Sequence, residues 1–136
     1  MNLPKRTPTV RDYMATELLV LEPEMEINRA MHLLLAHQLS GAPVLDAAQT
    51  LVGMLSSKDC LKVVLEASYY QELGGTVADY MSREVEVLSA DLDLVEAARH
   101  FLNSQFRRFP VLEQGRLIGQ ISRADLLRGL LESWRG

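Results

Sequence analysis

Val10-Arg11-Asp12-Tyr13-Met14 returns as Val77-Ala78-Asp79-Tyr80-Met81, and the same displacement carries on down the chain. Val20-Leu21 falls on Val87-Leu88, Ala30 on Ala97, Leu35 on Leu102, Gln38 on Gln105, and Pro43-Val44-Leu45 on Pro110-Val111-Leu112. Self-similarity at a fixed interval marks a duplicated structural unit. One residue is lost where Asp46-Ala47-Ala48-Gln49-Thr50 meets Glu113-Gln114-Gly115-Arg116. Beyond it Leu51, Gly53, Ser56, Asp59, Leu61 and Leu65 fall on Leu117, Gly119, Ser122, Asp125, Leu127 and Leu131. The copies therefore span 10–65 and 77–131, between a tail of 1–9, a linker of 66–76 and a tail of 132–136. Gly74-Gly75 is the clearest breaker in the linker. Each copy carries the pattern Gly-x-x-Ser-x-x-Asp.

Periodicity predicts the elements of each copy. A short strand comes first, Leu18 to Leu21 and Val85 to Leu88. A helix follows, because Ile27, Ala30, Met31, Leu34 and Leu35 form one apolar stripe, matched position for position by Leu94, Ala97, Ala98, Phe101 and Leu102. Two strands around a turn come next, Pro43 to Leu45 with Val52 to Leu55, and Pro110 to Leu112 with Leu117 to Ile121. Closing helices begin near Lys58 and Arg123. The expected class is α/β of the α+β kind. A half this small buries little apolar surface alone, so the two βαββα repeats are expected to pack with pseudo-twofold symmetry into one domain.

At 136 residues, 48% apolar and 24% charged, the composition is that of an ordinary globular domain. A net charge of −4 gives no basic field for nucleic acid or an anionic membrane, and no apolar run is long enough to span a bilayer. One cysteine, Cys60, has no intramolecular partner, and Met1 to Pro8 lack an apolar secretory core. These features predict a cytoplasmic protein.

The chain resembles, over nearly its whole length, a tandem pair of CBS domains, named for cystathionine beta-synthase and together called a Bateman module. The resemblance rests on the two opening motifs, on Ala42-Pro43-Val44-Leu45-Asp46 with Phe109-Pro110-Val111-Leu112-Glu113, and on Gly53-Met54-Leu55-Ser56-Ser57-Lys58-Asp59 with Gly119-Gln120-Ile121-Ser122-Arg123-Ala124-Asp125. It implies a stand-alone sensor that binds AMP, ADP, ATP, S-adenosylmethionine or a related dinucleotide, as a bound ligand and not a catalytic cofactor. It also implies clefts that mix the two halves, a homodimer, and an effector protein that receives the signal.

Two ligand sites are expected on that resemblance. Site one takes Ser56, Lys58 and Asp59 with Val85, Glu86, Arg107, Arg108 and Phe109. Its clustered cations suit phosphate oxygens, which guanidinium groups hold bidentately. Site two takes Ser122, Arg123 and Asp125 with Thr16, Leu18, Ser40, Gly41 and Ala42, and its small neutral segment suits a less charged ligand or an empty cleft. Leu18, Val85, Leu55 and Ile121 are candidate walls for adenine or plain core residues.

Each Ser-x-x-Asp also reads as a variant capping box at a helix start. The two roles are compatible, since a helix N-terminus favours phosphate and an ionised Asp can accept from ribose hydroxyls. His32, His37 and His100 lack companion ligands, so no metal site is expected. Cys60 aligns with Leu126 and reads as a small hydrophobe, while Trp134 suits a core or a partner surface. Glu66, Glu72, Asp91, Asp93 and Glu96 form no spaced acid pair, so no catalytic residue and no enzyme is expected. The alternative is a ligand-free module for protein–protein interaction.

Overall fold

The computed structural model describes residues 7–70 and 74–135. The outer part of the N-terminal tail, the linker residues 71–73 and Gly136 lie outside the described residues. The elements run α1 (Val10–Tyr13), α2 (Ile27–Ala36), β1 (Gly41–Leu45), β2 (Leu51–Ser56), α3 (Ser57–Tyr70), α4 (Val77–Tyr80), β3 (Leu88–Ser89), α5 (Leu94–Leu102), β4 (Arg108–Glu113), β5 (Arg116–Ser122) and α6 (Arg123–Arg135). Each copy contains the helix, the two-stranded hairpin and the closing helix that the repeat predicts, in that order.

The compact units are cut differently from the sequence repeats. One unit is Leu18–Val85; the other joins Met1–Glu17 to Glu86–Gly136. The opening motif of each copy thus folds into the core of the other copy.

In the Leu18–Val85 unit, β1 and β2 form an antiparallel hairpin with Gly41 opposite Ser56 and Val44 opposite Gly53. Its core joins Leu21, Ile27, Ala30, Leu34, Ala42, Val44, Leu55 and Val63 to Val77 and Met81 of the second opening motif. Met54 and Ser82 exchange backbone hydrogen bonds, of 2.9 and 2.8 Å, along the outer edge of β2.

The second unit repeats the plan. There β4 and β5 pair antiparallel, with Arg108 opposite Ser122 and Val111 opposite Gly119. The core joins Leu88, Leu94, Ala97, Phe101, Phe109, Val111, Ile121 and Leu126 to Val10 of the first opening motif. Ala15 and Gln120 exchange backbone bonds of 2.8 and 2.9 Å, as Met54 and Ser82 do in the other unit.

Each opening motif forms one helical turn fixed by its own box. Asp12 Oδ2 accepts from the Thr9 N–H at 2.9 Å, and Asp79 Oδ2 accepts from the Thr76 N–H at 2.8 Å. The periodicity of the sequence predicts neither turn as a helix.

The expected strand Leu18–Leu21 is reduced to a single bridge between Leu21 and Val44. The Leu21 N–H donates to the Pro43 carbonyl at 2.9 Å and the Leu45 N–H to the Leu21 carbonyl at 3.0 Å. The next bond towards Leu19 would have to come from the nitrogen of Pro43, which carries no hydrogen. Pro110 sets the same limit in the other unit. The strand expected at Val85–Leu88 instead begins at Leu88, pairs parallel with Val111 and runs to Ser89.

The one-residue difference between the hairpin loops has a local cause. Gln114 and Gly115 both take positive φ, 51° and 78°, which makes a two-residue turn whose twist suits the strands. The longer loop of the first copy is closed by Asp46, whose carboxylate accepts from the N–H groups of Ala48 and Thr50, both at 2.9 Å.

The helical stripes are correct except at one end. Ile27, Ala30 and Leu34 are buried, as are Leu94, Ala97 and Phe101, but Leu35 and Leu102 are exposed, at 76% and 86%. Both sit at the C-terminal end of the helix, Leu35 in its last turn and Leu102 as its final residue.

Candidate functional site

Each Ser-x-x-Asp stands where a strand turns directly into a helix, β2 into α3 and β5 into α6. Asp59 Oδ2 accepts from both the N–H and the hydroxyl of Ser56, each at 2.9 Å, and the Asp59 N–H donates to Ser56 Oγ at 3.1 Å. Asp125 Oδ2 accepts from the Ser122 N–H at 3.0 Å, and its own N–H donates to Ser122 Oγ at 3.1 Å. Both motifs are therefore working helix caps, and each holds a half-buried carboxylate at the positive end of a helix.

The two carboxylates differ in their second oxygen. Asp125 Oδ1 accepts from a guanidinium nitrogen of Arg128 at 3.3 Å. Asp59 Oδ1 has no partner among the described residues, so it keeps a free acceptor on the same rigid frame.

Both expected residue sets draw on both compact units. Ser56, Lys58, Asp59 and Val85 belong to Leu18–Val85, whereas Glu86, Arg107, Arg108 and Phe109 belong to the other unit. Thr16, Ser122, Arg123 and Asp125 lie in that other unit, and Leu18, Ser40, Gly41 and Ala42 lie in Leu18–Val85. Within each unit the segment before the proline is brought beside the Ser-x-x-Asp of its own copy. The Ser57 N–H donates to the Ser40 carbonyl at 2.8 Å, and the Arg123 N–H donates to the Arg107 carbonyl at 3.2 Å.

The contrast between the copies is chemical. Ser40, Gly41 and Ala42 adjoin Ser56 with no charge, whereas Arg107, Arg108 and Arg123 gather around Ser122. None of these three guanidinium groups has a carboxylate partner among the described residues, while those of Arg11, Arg99 and Arg128 do. Arg107 and Arg123 are exposed, and Arg108 is half-buried.

Some candidate walls belong to the cores. Leu55 and Ile121 are fully buried on the core faces of their hairpins, and Phe109 packs edge-on to Phe101 with ring centres 4.7 Å apart. Leu18 and Val85 are half-buried and remain candidates. Gln120, absent from the expected set, is buried diagonally across the hairpin from Arg108. Its signal in the sequence was a polar side chain where the other copy has Met54.

Cys60 packs against the Leu18–Val85 core, and burial, with the charge of Asp59 adding to it, pushes its thiol up from the ordinary value. A shift in that direction disfavours the thiolate. His32, His37 and His100 are exposed, and no group of three His, Cys, Asp or Glu side chains among the described residues could hold a metal ion. No helix among them is long and apolar enough to cross a membrane.

This frame matches known proteins. The family model for the CBS domain matches twice, over residues 10–66 and 77–132. The crystal structure of CBSX2 from Arabidopsis thaliana in complex with AMP is similar, at 34% identity and a TM-score of 0.81, covering 93% of this chain and 98% of that one. The CBS domain pair of MJ0100, solved with 5′-methylthioadenosine and S-adenosyl-L-methionine, shares the fold at 21% identity and a TM-score of 0.78, covering 96% of this chain and 100% of that one. Among curated relatives, the uncharacterized protein MJ1225 of Methanocaldococcus jannaschii is 28% identical over 92% of this chain, which spans only 44% of that protein's length. With two matched copies that together fill most of its length, the chain belongs to the CBS domain family.

Proposed function

We propose that this chain is a regulatory module that binds an adenosyl ligand, AMP, ADP, ATP or S-adenosylmethionine, and passes its occupancy to a partner protein. The observation that carries the reading is the pair of half-buried carboxylates, Asp59 and Asp125, held at helix N-termini in a chain whose relative CBSX2 binds AMP. A ribose offers two hydroxyl donors to such a carboxylate, and a phosphate offers acceptors to the N–H groups and arginines around it.

The residues assigned to the ligand are those of the two expected sets. Ser56, Lys58 and Asp59 with Val85, and Glu86 with Arg107, Arg108 and the backbone at Phe109, serve the more highly charged ligand. Ser122, Arg123 and Asp125 with Thr16, and Leu18 with Ser40, Gly41 and Ala42, serve the less charged one or none.

The module acts as a cytoplasmic homodimer. Exposed apolar residues recur along the closing helices, Leu61, Val64, Leu65 and Tyr69 on α3 and Leu127, Leu131 and Trp134 on α6. Stripes of this kind are uncommon on a monomer and suit an interface. The same stripes favour a second reading, a ligand-free interaction module.

Thermal denaturation across AMP, ADP, ATP and S-adenosylmethionine separates the two. A ligand at about 100 times its Kd stabilises the fold by about 2.7 kcal/mol and raises the melting temperature by several degrees. No rise with any of them leaves the interaction module as the reading.

A further inference from the structure

Two hydrogen-bond donors on one face of the β4–β5 hairpin have no acceptor among the described residues. Phe109, Val111 and Ile121 point into the core, so strand alternation puts Arg108, Pro110, Gln120 and Ser122 on the opposite face. The register sets Arg108 against Ser122 and Pro110 against Gln120, which makes Arg108 and Gln120 diagonal neighbours. Gln120 is only 8% exposed. Its Nε2 and the Nε of Arg108 are buried without a hydrogen-bond partner among the described residues.

Such a donor is unfavourable. A buried polar group left unpaired costs about 1–3 kcal/mol, and folded chains contain few of them. The hairpin itself does not require this one, because the corresponding positions of the β1–β2 hairpin hold Gly41 and Met54. An apolar side chain fills the place of Gln120 there, on the same strand geometry and beside the same kind of Ser-x-x-Asp cap. Gln120 is thus a polar residue that the fold tolerates and does not need. Its diagonal neighbour Arg108, whose guanidinium has no carboxylate partner among the described residues, specifies what it would meet: an anion rich in acceptor oxygens.

We propose that Gln120 reads the ligand, its Nε2–H donating to a phosphate oxygen held on this face beside Arg108, so that the chain selects a phosphorylated adenosyl compound over the bare nucleoside. The inference rests on the adenosyl reading above and adds to it the residue that distinguishes ligands. The β1–β2 hairpin, with Gly41 and Met54 in these positions, offers no such donor.

Calorimetric titration of adenosine, AMP and ATP into wild type, Gln120→Met and Gln120→Glu tests this. Gln120→Met places the residue of the other copy here and removes an unpaired donor, so the ligand-free protein melts higher than wild type. Its affinity for the phosphorylated ligand that wild type binds most tightly falls about tenfold, the size of one hydrogen bond to a charged group, while adenosine binding stays within about twofold. Gln120→Glu keeps the shape, sets a carboxylate against the phosphate and weakens nucleotide binding further. Nucleotide affinity unchanged in both variants, or an equal loss for adenosine, overturns the role of Gln120 and leaves the adenosyl reading standing. Failure of every adenosyl compound to bind wild type overturns both.

Discussion

The phenol of Tyr13 donates a 2.7 Å hydrogen bond to Glu132 Oε2, and the guanidinium of Arg128 lies 5.9 Å from the centre of the same ring. Arg128 also reaches Asp125, so a short chain of polar contacts joins the first opening motif to the helix capped by the Ser122-Asp125 box. Tyr80, the counterpart of Tyr13 on α4, donates instead to the Gly74 carbonyl at 3.1 Å.

This contact makes stability depend on alkaline pH. The hydrogen bond to Glu132, then partial burial and the nearby negative charges, raise the Tyr13 phenol above its usual value of 10.0, with Arg128 opposing. Because the folded value is the higher one, the stabilisation is fully present below pH 10.0 and is lost as pH rises through the folded value. Glu132→Gln should bring the phenol down towards its ordinary range in an ultraviolet tyrosinate titration. An unchanged titration curve would show that Glu132 does not hold Tyr13.

Gly53 and Gly119, the glycines of the duplicated signature, are required by close approach. A Cβ at Gly53 would stand 2.6 Å from the Met81 sulfur and 2.8 Å from the Ser82 carbonyl oxygen. At Gly119 it would stand 2.5 Å from the Met14 sulfur and 2.9 Å from the Ala15 carbonyl oxygen. A methionine can swing aside, but a backbone carbonyl in a paired edge cannot. Gly53→Ala and Gly119→Ala should each destabilise by about 1–3 kcal/mol in urea denaturation. A loss below about 0.5 kcal/mol would mean the opening motifs are more loosely held.

Much of this fold is legible in the sequence, because duplication lets each copy check the other. The hairpins and closing helices lie within a residue or two of where periodicity puts them. What failed has physical reasons. Pro43 and Pro110 cut short the parallel strands, a limit written in the sequence but outweighed by the apolar runs beside it. The Thr9-Asp12 and Thr76-Asp79 boxes have the same Ser/Thr-x-x-Asp form as the site motifs, yet no long apolar stripe follows to mark a helix. The exchange of opening motifs between copies depends on tertiary packing, and no local pattern encodes it. Gln120 carries no strong local signal, because a lone glutamine in a strand reads as a solvated position until its burial is known.

The exposed stripes predict an assembly. Lysine placed at Leu61 and Leu127 together should convert a dimer to a monomer in light scattering after size exclusion, with the far-ultraviolet dichroism unchanged. A variant that stays dimeric places the subunit contact elsewhere.

The caps contribute to stability before any ligand arrives. Asp59→Ala and Asp125→Ala should each cost about 1 kcal/mol in the ligand-free protein, as loss of a helix cap does. Calorimetry on the same variants would show whether the two carboxylates serve the ligand equally. The free Oδ1 of Asp59, against the Arg128-bound Oδ1 of Asp125, predicts the larger loss of affinity for Asp59→Ala.

The most direct test is calorimetric titration of AMP, ADP, ATP and S-adenosylmethionine into wild type and the Asp59→Ala Asp125→Ala double variant. Saturable binding of at least one of them to the wild type, abolished in a double variant that still folds, is the predicted result. Absence of binding to the wild type, or equal binding to the double variant, would contradict the assignment of the duplicated Ser-x-x-Asp motif to an adenosyl ligand.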